Sequence, residues 1–208
     1  MITDLFTANV ILGILASGIR LATPYLYAAI GETFGQRSGV LNLGVEGQML
    51  LGAFAGFYVT FKYGNPWLGL LAAILVGALM GVVMGFITVT LHAEQGISGI
   101  GVYLFGLGMS DLLFQKTIGS VETVVGFPKI HIPWLSDVPV IGEVFFQHNI
   151  LVYLAFLLVP VAWFVLNKTT LGLKIRAVGE NPEAADSLGV NVKGIRYFTC
   201  TLGGILSG

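Results

Sequence analysis

The sequence contains little charge. Asp, Glu, Lys and Arg together account for 10% of its 208 residues, whereas a soluble domain carries about 25%. The formal net charge is −1, so nothing in the composition suggests binding to nucleic acid. Hydrophobic residues make up 55% of the chain, and the mean hydropathy is +0.87. The scarcity of charge therefore indicates a protein of the lipid bilayer rather than a soluble enzyme.

The sequence also has a single cysteine and lacks the features of a cleaved signal peptide. The one cysteine, Cys200, lies in an apolar run and has no disulfide partner in the chain. Residues 1–4 lack the basic segment of a signal peptide and include an acid, so we expect the apolar run after them to be retained. No residue pattern indicates a metal site or a bound cofactor.

Long apolar stretches dominate the rest of the chain. An α-helix needs about 20 apolar residues to cross a bilayer, and the period-two alternation of barrel strands is missing. We therefore predict an all-α, polytopic transmembrane helical bundle with about five complete spans and a truncated sixth. The predicted spans cover residues 10–30, 43–61, 67–91, 97–114 and 150–166, and the sixth begins near Tyr197. Because the last run is too short to cross, we expect the chain to be C-terminally incomplete.

Glycines within these stretches recur at helical spacing, as at Gly77, Gly81 and Gly85. Small residues four positions apart let helix backbones approach closely in lipid. The pattern predicts a tightly packed bundle.

Basic residues predict the orientation of the chain, because short loops rich in Lys and Arg stay in the cytoplasm. The connection 168–196 contains Lys168, Lys174, Arg176, Lys193 and Arg196. We expect this connection to be cytoplasmic and the long connection 115–149 to be external.

Three polar residues cluster at the start of the second predicted span. Asn42 and Glu46 are four residues apart, which would place them on one face of a helix, and Gln48 follows closely. Such groups need partners in the membrane, so Glu46 could pair with Arg37 or Arg20. The alternative is a direct role of these residues in a solute pathway.

Arg20 lies near the middle of the first predicted span, too far from either end for its side chain to reach the interface easily. We expect it to face protein or a water-filled cavity. A counter-charge such as Glu32 or Glu46 is one explanation, and a place in the solute pathway is the other.

Ser98 lies in a Gly-Ile-Ser-Gly string at the start of a predicted span, the setting in which an intramembrane serine protease holds its nucleophile. That chemistry requires a histidine within hydrogen-bonding distance. His92 lies in the preceding turn, whereas His131 and His148 fall in the connection 115–149. The protease therefore stays an alternative to a structural role for Ser98.

A short helix is predicted within the connection 168–196. Asn181 suits the N-cap and Pro182 the first helical position, while Glu183 and Asp186 favour the positive end of the helix dipole. Gly189 suits the position at which the helix stops. A helix of about two turns is marginal alone.

The predicted helix carries small apolar residues, Ala184 and Ala185, together with Leu188. A face of this kind would gain stability by entering a groove on another protein. A helix lying on the membrane surface, the alternative, would carry larger apolar residues and more Lys and Arg. We therefore expect this helix to dock onto a partner.

Three stretches together resemble a known family: the permeases of bacterial ABC importers in the branch that serves branched-chain amino acids and ribose, and most closely the simple-sugar and nucleoside permeases. The stretches are Gly39-Val-Leu-Asn-Leu-Gly-Val-Glu-Gly-Gln-Met-Leu-Leu-Gly52, Glu94-Gln-Gly-Ile-Ser-Gly99, and Leu171-Gly-Leu-Lys-Ile-Arg-Ala-Val-Gly-Glu-Asn-Pro-Glu-Ala-Ala-Asp186 followed by Gly189-Val-Asn-Val192.

This resemblance implies a single permease domain over residues 1–208 in the bacterial plasma membrane, lacking the last spans of the family. It also implies three partners. They are a second permease subunit that forms a heterodimer with this chain, an ABC ATPase that binds ATP, and an external substrate-binding lipoprotein. No Gly-x-x-x-x-Gly-Lys string is present, so ATP would be hydrolysed on the partner. The residues implied to couple to the ATPase are Gly179, Glu180, Asn181, Pro182, Glu183, Ala184, Ala185 and Gly189.

The expected function is passage of a small polar solute, a nucleoside or simple sugar, by alternating access. The chain itself would not be an enzyme. The protease using Ser98, a proton-coupled carrier and a membrane scaffold are the alternatives, and a scaffold has no need for Arg20 and Glu46 in the bilayer.

Overall fold

The computed structural model describes residues 8–119, 122–130 and 141–208. Within these ranges the backbone is helix and loop, and the only extended pairing is an isolated antiparallel bridge between Lys129 and Asn149. The prediction of an all-α fold is confirmed for this part of the chain.

The helices are numbered in chain order. They are α1 Ala8–Arg37, α2 Val45–Tyr63, α3 Pro66–Gly85 continued by a π-helical turn Phe86–Thr90, α4 Gln95–Thr117, α5 Ile141–Phe145, α6 Ile150–Lys168, α7 Thr170–Glu180, α8 Pro182–Ser187 and α9 Val192–Ser207.

Four of the described helices are long and apolar enough to cross a membrane. They are Val10–Arg37, Pro66–Thr90, Gln95–Thr117 and Ile150–Lys168. Helix α2 has 19 residues but is not among these four, and α9 has 16 residues. The prediction of a helical membrane bundle is confirmed, whereas only four of the predicted crossings meet both criteria.

Helix α9 forms the centre of the bundle, where it packs against α1, α2 and α3. Glycines make the contact between α3 and α9: a methyl group on Gly204 would overlap the carbonyl oxygen of Gly77 and lie 2.8 Å from the Cα of Gly81. A methyl group on Gly81 would in turn lie 2.5 Å from the carbonyl oxygen of Cys200. The glycine pattern seen in the sequence therefore brings the two backbones together, as predicted.

Two apolar clusters flank this contact. The first joins α1, α6 and α7 through Ile30, Phe34, Leu166 and Ile175. The second joins α2, α3 and α4 through Leu51, Met80, Met84 and Val102.

Helix α7 was not predicted from the sequence. Its buried residues, Gly172, Ile175 and Val178, recur every three residues and form one apolar face, while Leu173 and Lys174 are exposed. The connection 168–196 is therefore mostly helical.

The α7–α8 segment lies at the end of the bundle where α1 stops and α4 and α9 begin. Arg196 Nε donates to the carbonyl oxygen of Ser38 at 3.3 Å, and Gln95 Nε2 donates to that of Gly39 at 3.2 Å. We call this end the α7–α8 end.

We expect Gly204→Ala to destabilise the bundle, because the added methyl group would overlap the backbone of α3 at Gly77. Overpacking of this kind costs about 1–3 kcal/mol. The measurement is the thermal unfolding midpoint of the detergent-purified protein. Gly101→Ala is the matched control, because a methyl group there meets no atom within 4 Å. Equal midpoints for the two variants would contradict the close approach of α9 to α3.

Candidate functional site

The short helix α8 has the predicted caps. Asn181 Oδ1 accepts a hydrogen bond from the Ala184 N–H at 3.0 Å, and Pro182 occupies the first helical position. At the other end, Gly189 adopts a φ of 80°, a conformation that favours glycine, and its N–H donates to Asp186 O at 2.8 Å. Both ends of α8 are thus fixed by the residues that the sequence indicated.

The exposed face of α8 differs from the prediction. Ala185 is only 2% exposed because it packs within the chain, whereas Ala184 is exposed and Leu188 is 84% exposed. Successive residues of a helix point about 100° apart, while residues four apart share a face. The apolar face available to a partner therefore consists of Ala184 and Leu188, and the assignment of Ala185 to it was wrong.

The segment before α8 packs tightly on the end of α1. A methyl group on Gly179 would overlap Arg37 O and lie 3.2 Å from Gly39 N, so only glycine permits this approach. Glu180, the last residue of α7, is exposed, and Glu183 lines a cavity with His92 and other residues. The structure thus joins the α7–α8 segment to α1 through backbone contact.

A buried polar network lies between the first turn of α2 and the last turn of α9. Gln48, which is fully buried, accepts from Asn42 Nδ2 at 3.3 Å and from Ser207 Oγ at 3.2 Å. The Asn42 N–H donates to Glu32 Oε1 at 3.0 Å, and Asn42 Oδ1 accepts from the Gly44 N–H at 3.0 Å. Gln48 Nε2 has no hydrogen-bond partner among the described atoms.

The position of Asn42 corrects one expectation. Helix α2 begins at Val45, so Asn42 lies in the turn before the helix and does not share a helical face with Glu46. Its side chain turns back onto the Gly44 backbone, as asparagine does in turns.

A second pair of buried hydroxyl groups extends this polar region along α9. Ser38 Oγ and Thr199 Oγ1 are 2.8 Å apart, and both side chains have no exposed surface. Thr199 Oγ1 also donates to Arg196 O at 3.0 Å. The sequence analysis missed Ser38, Thr199 and Ser207, because each is an isolated hydroxyl residue whose partners lie far away in the chain.

Arg20 faces a polar cavity of about 300 Å³, which is also lined by Lys129, His148 and Asn149. The proposed counter-charges lie elsewhere. Glu32 accepts hydrogen bonds from Asn42 N and Gln36 Nε2. The expectation that Arg20 faces a cavity agrees with the structure, whereas the suggested pairing with Glu32 does not.

Glu46 is exposed and lies apart from the buried network. It lines a groove with Tyr25, Met49, Leu50 and Tyr103. The structure therefore separates Glu46 from Gln48, which sequence reasoning had grouped together.

Among the residues described, no group of three or more His, Cys, Asp or Glu side chains is arranged to hold a metal ion. The polar groups of the network are amide, hydroxyl and carboxylate groups, and those described bond to one another and to the backbone.

Comparison with known protein families gives the family of the chain. Residues 14–208 match the model of the branched-chain amino acid transport system permease component. The chain belongs to this permease family. The resemblance inferred from the three sequence stretches is thus confirmed.

Several curated relatives of the permease are named as permeases of ABC transporters. A Haloferax volcanii protein with the provisional name glucose ABC transporter permease is 42% identical over 94% of the chain and 60% of the relative. The guanosine ABC transporter permease of Bacillus subtilis is 38% identical, over 90% of the chain and 62% of its own length. The nucleoside ABC transporter permease of Lactococcus lactis is 37% identical, over 94% of the chain and 64% of its own length. The chain therefore spans somewhat less than two thirds of these relatives, and no solved structure gave a significant match.

Ser98 of the permease has a local hydrogen bond rather than a catalytic partner. Its Oγ donates to Glu94 O at 2.6 Å within the first turn of α4. His92 lines a cavity beside α8, and His148 Nε2 contacts Val144 O at 2.8 Å. His131 lies outside the described residues. The described histidines therefore form no serine–histidine pair with Ser98.

Glu94 is the N-cap of α4, and its carboxylate accepts from the N–H groups of Ile97 at 2.6 Å and Gly96 at 2.9 Å. These bonds lower the pKa of Glu94. The cap therefore contributes stability above the ordinary carboxyl pKa and loses it as the pH falls through the lowered pKa of Glu94.

We expect Glu94→Ala to lower the unfolding midpoint of the permease, because the two backbone N–H groups that Glu94 caps at the start of α4 would lose their acceptor. Ser98→Ala is the matched variant and should leave both stability and solute uptake nearly unchanged. The measurements are thermal unfolding near neutral pH and uptake by cells expressing each variant. A peptidase activity that disappears in Ser98→Ala would contradict the assignment.

Proposed function

We propose that the chain is the permease subunit of an ABC importer that moves a small polar solute, a nucleoside or a simple sugar, across the membrane. The observation that carries this proposal is the similarity to relatives named as glucose, guanosine and nucleoside ABC permeases. The membrane helices and the α7–α8 end support it. ATP would be bound and hydrolysed by a separate ATPase subunit.

In this proposal the α7–α8 segment couples the permease to the ATPase. The capped helix α8 presents Ala184 and Leu188 to the partner, while Gly179 rests on the end of α1. A displacement of α8 would therefore be transmitted to α1 through backbone contact rather than through flexible side chains. Packed backbones transmit small shifts because they cannot deform continuously.

Helix α9 would carry the same displacement into the bundle. Arg196 at its start donates to Ser38 O, and Ser207 at its end donates to Gln48. Motion at the α7–α8 end would thus reach the buried network, which suits alternating access. A second permease subunit, in a heterodimer, and an external substrate-binding lipoprotein would complete an importer in the bacterial plasma membrane.

The proposed orientation places the α7–α8 end in the cytoplasm, because of the basic residues that it contains. We expect Ser187→Cys, in a Cys200→Ala background, to resist an impermeant maleimide in intact cells and to react after permeabilisation. Val125→Cys should react in intact cells, because Val125 is 67% exposed in the connection 115–149. The opposite pattern would invert the orientation.

Coupling by α8 predicts that Ala184→Arg will abolish most uptake while the permease still inserts into the membrane. A long charged side chain on the docking face should weaken association with the ATPase about a hundredfold, equivalent to a few kcal/mol. The measurements are co-purification of the ATPase with the full-length subunit that carries Ala184→Arg, and ATP-dependent uptake of labelled guanosine and glucose by the transporter that contains it. Leu188→Arg should act in the same direction.

Two controls separate docking from folding in this experiment. Val125→Arg adds the same charge to an exposed apolar site at the other end and should leave ATPase association unchanged. Ala185→Arg should instead reduce the yield of folded permease, because Ala185 is buried. Normal ATPase association and uptake in Ala184→Arg would refute coupling through α8, and uptake that follows the proton gradient rather than ATP would favour a carrier.

A further inference from the structure

The outer face of α2, opposite its buried network, combines one charged residue with a row of apolar and aromatic side chains. Its residues Glu46, Leu50, Phe54, Phe57 and Phe61 follow one another at intervals of three or four and form a single stripe. None of these five side chains is buried. Helix α2 thus presents both a charge and several aromatic rings outside the core.

The stripe borders a groove between α2 and α4. One part of the groove is lined by Tyr25, Glu46, Met49, Leu50 and Tyr103. The other part, with a volume of about 440 Å³, is lined by Leu50, Ala53, Phe54, Phe57, Leu107, Ser110, Asp111 and Phe114. Leu50 lines both parts, and we call the two together the α2–α4 groove. Its wider part is open to the surface and has the volume of about 300–1,000 Å³ that a small molecule needs.

Asp111 argues against lipid as the occupant of the groove. It is exposed on α4, six residues before the end of a membrane span, and thus about 9 Å from that end. Its carboxylate accepts a hydrogen bond from Gln115 Nε2 at 2.8 Å, which is a neutral partner. A carboxylate facing hydrocarbon with such a partner is costly, so acids in membrane helices face protein or a water-filled cavity.

Helix α2 adds a second acidic residue to this side of the bundle. Its buried side contacts α3, α4 and α9. In its outer stripe Glu46 is charged, whereas Leu50, Phe54, Phe57 and Phe61 are apolar. Each of the two parts of the groove therefore contains one carboxylate, Glu46 in one and Asp111 in the other.

The aromatic rings of the groove are held by stacking contacts. Phe57 and Phe61 lie nearly parallel, with an interplanar angle of 7°, and Phe54 stacks on Tyr58 at 15°. Phe57 also meets Phe114 across the groove, with ring centroids 6.1 Å apart and ring planes tilted by 49°. A ring that is already ordered can contact a ligand at little entropic cost.

We propose that the α2–α4 groove lines the solute pathway and binds a nucleoside, with the base on Phe57 and Phe114 and a ribose hydroxyl group donating to Asp111. This inference rests on the proposed importer function and names the solute class. Aromatic rings stack on nucleobases of any sequence, and a carboxylate accepts from hydroxyl groups. A simple sugar shares the hydroxyl groups but has no aromatic face.

The first test measures ATP-dependent uptake of labelled guanosine by the complete transporter. Phe114→Leu should raise the apparent KM about tenfold, since stacking on one base contributes about 1–3 kcal/mol. Phe105→Leu is the matched control, because Phe105 is also exposed on α4 but does not line the groove. Equal KM values for the two variants, in a transporter that takes up guanosine, would overturn the nucleoside site.

Asp111→Asn tests the hydroxyl contact with a change of substrate. A hydrogen bond to a charged group contributes roughly 1.5–3 kcal/mol, so the unmodified transporter should prefer guanosine over its 2′,3′-dideoxy analogue by about tenfold or more. Asp111→Asn should remove most of that preference. A merely structural role for Asp111 would lower uptake of both compounds equally and would refute the contact.

Cysteine labelling tests the pathway without relying on uptake by groove variants. Ala53→Cys lies in the groove and should react with a hydrophilic maleimide, whereas Leu79→Cys, 62% exposed on α3, should not. Guanosine should slow the reaction at position 53. An unreactive Ala53→Cys would show that lipid or protein fills the groove and would overturn the inference. Absence of ATP-dependent uptake of both guanosine and glucose by the unmodified complex would instead refute the importer function.

Discussion

The close approach of α9 to α3 is the constraint on which the rest of the bundle depends. In lipid, helices gain nothing by hiding apolar side chains from one another, so they associate through close packing and hydrogen bonds. Gly77, Gly81 and Gly204 remove the side chains that would separate the two backbones. Helix α9 is then near enough to α1 and α2 for its short Ser and Thr side chains to reach them.

That position of α9 explains why the buried polar groups form a connected set. Thr199 lies beside Ser38, and Ser207, two turns further along, reaches Gln48. The short side chain of Ser207 on α9 can donate to Gln48 Oε1 on α2 only if these two helices are in near contact. Because a buried polar group without a partner costs about 1–3 kcal/mol, the network also fixes the register of α9 against α2.

Local signals in the sequence predicted local structure well. Asn181, Pro182 and Gly189 act on the backbone within a few residues, so their pattern fixed the ends of α8 before any packing was known. The orientation of Ala185 was mispredicted because it depends on contacts made by α8 with α7 and α9, which no local pattern encodes. The family itself was recognisable because three stretches occur in order along the chain.

Longer-range features of the site were beyond local reasoning. Gln48 and Ser207 are 159 positions apart, so neither residue alone indicates the hydrogen bond between them. Asn42 was placed on a helix because four-residue spacing suggests one, yet the turn at Gly44 delays the start of α2. Residues 43–61 were predicted as a span because most of them are apolar, yet α2 is not among the described helices that are long and apolar enough to cross a membrane.

Helix α2 carries polar residues on two opposite sides. One side carries Gln48 into the protein core, and the other carries Glu46 with the aromatic stripe beside the α2–α4 groove. Gln48 has partners in Asn42 and Ser207, whereas a charge such as Glu46 is costly against hydrocarbon and needs protein or water beside it. The groove proposed for the solute supplies such a place, which would explain why one helix of a membrane bundle combines a buried amide, an outer charge and a row of aromatic rings.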